Sequence, residues 1–68
     1  MKNNLEKLRS ECNLTQEQLA NKLKVTRQTI NSIEKGKYNP SIILAFKISK
    51  FFKTTIENVF IFQEDSYE

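Results

Sequence analysis

The sequence predicts an all-α fold, a compact domain of five short helices over residues 1–68. Three observations predict it. Apolar residues recur at intervals of three and four along most of the chain, as on one face of an α-helix. Thr, Ser and Pro residues stand directly before several of these stretches, where helices are capped. Neither a β-α-β alternation nor a glycine-rich phosphate loop is present, which argues against an α/β fold.

The first helix is predicted over residues 4–12, because Leu5, Leu8 and Cys12 fall on one helical face. Asn13 follows and ends it. We expect Cys12 to be a small buried apolar residue rather than a redox switch.

A break of only two or three residues separates the second and third helices. Thr15 caps the second helix, and Gln18 completes a capping box with it. Lys24 and Val25 form the break, and Thr26 caps the third helix. Two helices joined so tightly cannot lie flat and antiparallel. The spacing favours a helix-turn-helix, whose second helix enters a DNA major groove.

The second half of the chain holds two more helices. Gly36, the only glycine, marks the end of the third helix, since glycine accepts positive φ without steric cost. Pro40 and Ser41 open the fourth helix, with Pro at a first helical position. Thr55 caps a short fifth helix. The sequence leaves open whether the segment after it pairs as a short two-stranded β-ribbon with residues 2–4.

Charge is distributed unevenly along the chain. Residues 1–53 carry all 11 Lys and Arg residues and a net charge of +7, whereas residues 54–68 carry −4. A basic body suits a polyanionic partner such as nucleic acid. The alternative is an ordinary solvated surface.

Composition also excludes several classes of protein. One Cys rules out an internal disulfide, and with no His we expect neither a metal site nor a cofactor. Without His or a pair of carboxylates in a cleft-forming context, an enzyme is not expected. No apolar stretch is long enough to span a membrane and no signal peptide is evident, so we expect a soluble cytoplasmic protein.

The order and spacing of these residues resemble the Cro/phage-repressor type (XRE family) of helix-turn-helix transcriptional regulators, closest to its small stand-alone bacterial repressors. The resemblance is carried by Leu14, Thr15, Gln16, Leu19, Ala20, Val25, Thr26, Arg27, Gln28, Thr29, Ile30, Ile33, Glu34, Lys35 and Gly36, and by Tyr38, Asn39, Pro40, Ser41, Leu44, Ala45 and Ile48. It covers residues 4–60 and implies a lambda-repressor-like DNA-binding domain, with the motif at about 15–35.

Four polar side chains of the third helix are predicted to read DNA bases. Ile30 and Ile33 mark the inner stripe of that helix, which leaves the polar positions outside. Arg and Gln read guanine and adenine edges through paired hydrogen bonds, and a recognition helix presents its first turn to the groove. The alternative is ordinary surface helix formers. The predicted base-reading residues are Arg27, Gln28, Asn31 and Ser32.

Contacts to the DNA backbone are expected around them, and plain solubility is the alternative for the lysines. The expected backbone residues are Gln16, Thr26, Thr29, Lys35, Lys37, Tyr38 and Asn39. The resemblance implies that Gln16 bonds the DNA backbone and braces the recognition helix, and that Arg9 pairs with Glu34. Lys24 stands where the family often has glycine, so a positive φ there would cost about 1 kcal/mol.

The C-terminal segment, residues 56–63, is predicted to form a dimer interface. So small a domain has little stability, and an exposed aromatic cluster usually marks an interface. The alternative is that these rings close the monomer core. The predicted interface residues are Ile56, Val59, Phe60, Ile61 and Phe62.

The predicted function is a homodimeric repressor that reads a palindromic operator in double-stranded DNA. Family members place two recognition helices one DNA turn apart, about 34 Å. The alternatives are an activator, an antitoxin or restriction-controller type regulator, or a protein-interaction module that uses the same fold with an unknown protein partner.

Overall fold

The computed structural model describes residues 1–61. In chain order these residues form β1 (Lys2–Asn3), α1 (Leu5–Glu11), α2 (Gln16–Leu23), α3 (Arg27–Glu34), α4 (Ile42–Phe51), α5 (Ile56–Val59) and β2 (Phe60–Ile61). The two strands pair antiparallel, with Lys2 opposite Ile61 and Asn3 opposite Phe60. The all-α prediction is therefore confirmed, and the ribbon that the sequence left open is present.

Side-chain hydroxyls start four of the helices within the described residues. The N-cap residues Thr15, Thr26, Ser41 and Thr55 each accept a hydrogen bond from the backbone amide three positions on. Such caps satisfy amides that the first helical turn leaves without partners. Pro40 lies before the cap, outside α4, so its predicted first helical position is wrong. The reason is that Ser41 itself adopts extended backbone and caps the helix.

Helices α1 to α4 end in the same way, with a residue of positive φ just after the last turn. Asn13, Lys24, Gly36 and Lys53 follow these helices with φ of 58°, 61°, 74° and 56°. In each case the next amide donates to a carbonyl five residues back, as in a Schellman motif. Lys24 therefore adopts the positive φ that the sequence analysis marked as costly, and its side chain carries a strain of about 1 kcal/mol.

The hydrophobic core lies between the inner faces of the five helices and is closed by β2. The inner stripe predicted for α3 is buried, which confirms the face assigned to that helix, and α2 likewise buries one apolar face. The buried core residues are Leu5, Leu19, Ala20, Leu23, Ile30, Ile33, Leu44, Ala45, Ile48, Val59 and Phe60.

Cys12 is exposed, so the prediction that it is buried is wrong. Helix α1 ends at Glu11, and Cys12 is its C-cap residue. The chain leaves the helical path there and turns through Asn13, so the three-to-four spacing no longer applies. Leu14 packs against the core in its place.

Part of the predicted dimer segment belongs to the monomer core. Val59 is 0% exposed, so its predicted place at an interface is wrong, and Phe60 is only 8% exposed. The reason is that α5 and β2 fold back onto the domain, with Val59 bonded to Asn4 through the backbone. Phe62 lies outside the described residues. Within residues 1–61, no helix has the length and apolar character needed to cross a membrane.

Candidate nucleic-acid interface

Helix α3 presents one apolar and one polar face. Ile30 and Ile33 are buried on its inner side. Arg27 and Gln28 are exposed in the first turn, immediately after the Thr26 cap. The exposed turn therefore carries a guanidinium and a carboxamide on a helix that is anchored from behind.

The outer face of α3 borders a shallow polar depression of about 220 Å³. It brings together two of the predicted base-reading residues and three of the predicted backbone-contacting ones. The residues that line it are Thr26, Gln28, Thr29, Ser32 and Tyr38. The Thr26 and Thr29 hydroxyl oxygens lie 2.9 Å apart, and the Thr26 hydroxyl also accepts from the Thr29 amide. These two hydroxyls are fixed in position by the helix cap.

Gln16 and Asn31 are joined to each other. The Gln16 side-chain amide donates to Asn31 Oδ1 at 3.2 Å and to Glu34 Oε1 at 3.0 Å. This places the first residue of α2 against the middle and end of α3. The two helices of the motif are thus held by polar contacts as well as by their apolar faces.

Arg9 and Glu34 form an ion pair between α1 and the last residue of α3. Arg9 Nε donates to Glu34 Oε2 at 2.7 Å and Arg9 Nη2 donates to Glu34 Oε1 at 3.2 Å. Arg9 Nη1 also donates to the Leu14 carbonyl at 2.8 Å. The two side chains are only 14% and 4% exposed. The hydrogen bond to Glu34 raises the pKa of Arg9 above its ordinary value, although burial opposes this.

The loop after α3 carries the remaining predicted backbone contacts. Lys35, Lys37, Tyr38 and Asn39 are all exposed there. The turn is closed by the Lys37 amide, which donates to the Ser32 carbonyl at 3.0 Å. Of these four side chains only Tyr38 lines the polar depression, and none belongs to the core.

Sequence reasoning missed an apolar surface on α4. Ile42, Ile43 and Phe46 are 71%, 68% and 51% exposed. Beside them lies an apolar cavity of about 270 Å³, lined by Met1, Asn39, Pro40, Ala45, Ile56, Glu57 and Phe60. Apolar residues all round α4 were a usable signal, since a surface helix ordinarily has one apolar stripe.

Comparison with known proteins gives matches over nearly the whole chain. The helix-turn-helix family matches residues 5–59. An uncharacterized HTH-type transcriptional regulator from Methanocaldococcus jannaschii is 62% identical over 65 residues, which cover 96% of this chain and 98% of that protein. The Bacillus subtilis HTH-type regulator YgzD is 46% identical over 66 residues, 97% of this chain and 100% of that protein. The HTH-type transcriptional activator BcrR from Enterococcus faecalis is 47% identical over 55 residues, 81% of this chain and 27% of that protein.

Proposed function

This chain belongs to the helix-turn-helix family, as its sequence predicts, and on that premise we propose that it is a homodimeric repressor that binds a palindromic DNA operator. The observation that carries the proposal is the outer face of α3. Arg27 and Gln28 are exposed in its first turn, while buried isoleucines anchor the helix behind them. A helix so mounted can enter a major groove as a rigid unit.

Within the groove, Arg27 is assigned to a guanine and Gln28 to an adenine. Each can form a pair of hydrogen bonds to the base edge, and each such contact discriminates by about 1–3 kcal/mol. Asn31 and Ser32 lie one turn further along and are half-buried. The Asn31 side chain is held in place because its oxygen accepts a hydrogen bond from Gln16. We assign Asn31 to a base contact made from that fixed position.

Backbone contacts flank this face. Gln16 begins α2, where the first amides of a helix have no partner within it and suit a phosphate. The Thr26 and Thr29 hydroxyls line the polar depression beside α3. The exposed loop residues Lys35, Lys37, Tyr38 and Asn39 complete the proposed phosphate contacts. These contacts supply affinity and register, whereas the first turn of α3 supplies sequence preference.

Selection of bound sites from random double-stranded DNA tests the proposal directly. The expected result is a two-fold symmetric site whose half-sites lie about 34 Å apart. Binding should weaken steeply as salt rises, because phosphate contacts release counterions. Recovery of no preferred site would refute sequence-specific binding and would favour a protein-interaction module instead.

Two substitutions separate base reading from phosphate contact. Arg27→Ala should lower operator affinity about tenfold or more and relax the preference at one base. Lys37→Ala should weaken binding to all sequences alike and reduce the salt slope by about one. Lys47→Ala, an exposed cation on α4, is the control and should change neither. An Arg27→Ala protein with unchanged operator affinity would refute the assignment of Arg27.

The proposed dimer surface combines Ile56 and Ile61 with the exposed part of α4. Ile42 and Phe46 are four residues apart and share one side of that helix, next to the cavity that Ala45 and Ile56 line. A two-fold interface uses the same patch on both copies. In sedimentation, Ile42→Ser should shift the protein towards monomer, whereas Lys47→Ser, an exposed position on another side of α4, should not. Equal effects of the two would refute this surface.

Repression and activation share the same DNA site but differ in outcome. A domain bound at a promoter blocks it by occupancy alone, and this favours repression. One relative, BcrR, is named an activator, although this chain covers 27% of its length. Transcription in vitro from a template with the selected operator distinguishes the two, since a repressor lowers and an activator raises the amount of transcript.

A further inference from the structure

Asn3 lies at the point where the terminal ribbon meets α1 and α3. It is half-buried and pairs with Phe60 across the ribbon. Its side-chain oxygen accepts from the Leu5 amide at 3.1 Å, at the start of α1. Its side-chain amide donates to the Ile33 carbonyl at 2.8 Å, at the end of α3. One small side chain thus contacts both helices while its backbone belongs to the ribbon.

The N-terminal backbone reinforces this contact with α3. The Met1 amine donates to the Gly36 carbonyl at 3.2 Å. A methyl group on Gly36 would lie 3.2 Å from the Met1 carbonyl oxygen, so the approach is close. The Asn3 side-chain amide also donates to that Met1 carbonyl at 3.2 Å. Residues 1–3 therefore pack along the turn that ends α3.

On its other side the same segment is attached to the C-terminal elements. The Asn4 amide donates to the Val59 carbonyl at 2.7 Å. The Asn4 side-chain amide donates to the Asn58 carbonyl at 2.9 Å. The first four residues consequently join the end of α3 to α5 and β2, which border the proposed dimer surface.

We propose that Asn3 is a positioning residue that fixes the recognition helix relative to the dimer surface. The inference rests on the proposed function, because it concerns how two copies of α3 are set on one operator. Two recognition helices must match a repeat of about 34 Å, and a small rotation of α3 at its base misplaces its first turn in the groove. Asn3 suits this role because one planar amide satisfies a donor and an acceptor on two helices at once.

The test compares Asn3→Asp with Asn4→Asp. Both replace an amide by a carboxylate in neighbouring half-buried positions, but only Asn3 contacts α3. Asn4→Asp keeps the backbone bond to the Val59 carbonyl, so the segment stays attached to the C-terminal elements. Asn3→Asp keeps an acceptor for the Leu5 amide and loses the donor to the Ile33 carbonyl. Asn3→Ala removes the donor without adding charge and serves if the carboxylate prevents folding. Sedimentation establishes that the compared proteins have equal oligomeric state.

Two readouts are measured for each protein. The first is the ratio of affinity for the selected operator to affinity for random DNA. Asn3→Asp should lower that ratio about tenfold, and Asn4→Asp less than about twofold. The second is hydrogen exchange at the Gly36 and Lys37 amides, which close the end of α3. Exchange there should quicken in Asn3→Asp but not in Asn4→Asp.

The outcomes separate this inference from the function on which it rests. If the wild type binds the selected operator, the proposed function stands. An unchanged affinity ratio in Asn3→Asp, including one that results from equal losses of operator and random affinity, would then overturn the positioning role. If the wild type selects no site, the proposed function fails. In that case the exchange measurement still decides whether Asn3 holds the end of α3, and unchanged exchange would overturn that as well.

Discussion

The ion pair between Arg9 and Glu34 offers a quantitative test of how α3 is held. Arg9→Leu removes two hydrogen bonds to the Glu34 carboxylate and one to the Leu14 carbonyl. It leaves a carboxylate on a side chain that is 4% exposed, facing the Gln16 amide. Arg9→Leu therefore leaves the buried Glu34 carboxylate without its partner, in addition to removing the hydrogen bonds.

The magnitude follows from that burial. Removal of one partner from a buried pair costs about 3–5 kcal/mol, and the partial exposure of Arg9 favours the lower end, about 3 kcal/mol. A chain of this size has a free energy of unfolding of about 3–10 kcal/mol, so the single variant should lose about a third or more of its stability. The double variant Arg9→Leu/Glu34→Leu strands no charge and should lose only about 1 kcal/mol, since apolar replacements of buried pairs are often tolerated.

Urea unfolding of the wild type, both single variants and the double variant measures the coupling. Losses that add to within about 0.5 kcal/mol would show that the pair contributes no interaction energy, and would refute this reasoning. Operator affinity supplies a second test. The double variant should remain folded yet bind the operator more weakly, because Gln16 loses one of its two contacts with α3. Wild-type affinity in the double variant would show that the pair does not position α3.

The remaining predictions concern single sites and pH. Lys24→Gly should raise the free energy of unfolding by up to about 1 kcal/mol because glycine relieves the positive φ, whereas Asn21→Gly inside α2 should lower it by about 0.3 kcal/mol; thermal denaturation of both checks the sign. Cys12→Ser should change stability by less than about 0.5 kcal/mol, and the native thiol should react readily with a thiol reagent, so slow labelling would contradict its exposure. Because the hydrogen bond to Glu34 raises the pKa of Arg9, the pair stabilises the folded state while the guanidinium is charged and is lost only in strongly alkaline solution, so the Arg9 contribution in urea unfolding should be constant between about pH 6 and 10.

Helices and their starts could be predicted from the sequence because the signals are local. A Thr or Ser cap and the amide it serves are three residues apart, so Thr15, Thr26 and Thr55 identify helix starts without any tertiary information. The inner faces of α2 and α3 follow from the same short spacing. These faces then fix which side chains of α3 point outward.

What the sequence did not reveal depends on contacts between distant residues. Asn3 contacts Ile33 across 30 positions, and no local pattern marks such a pair. Val59 has the apolar character of an interface residue, but it is buried in the core, and its carbonyl accepts from the backbone amide of Asn4. Cys12 fits the helical spacing, but the left-handed residue that follows it ends the helix too early. Each error therefore comes from a tertiary contact or from the end of a helix, neither of which periodicity alone encodes.

The pairing of β1 with β2 also has a kinetic consequence. Lys2 and Ile61 are separated by nearly the whole described chain, whereas the helices close through contacts three to five residues apart. Distant pairing carries the larger loop-closure entropy and tends to form late in folding. The ribbon is therefore expected to be the last element to form and the first to open. In that opened species the helices persist but the two ends of the chain separate, so the domain would be folded before it is competent for the dimerisation proposed above.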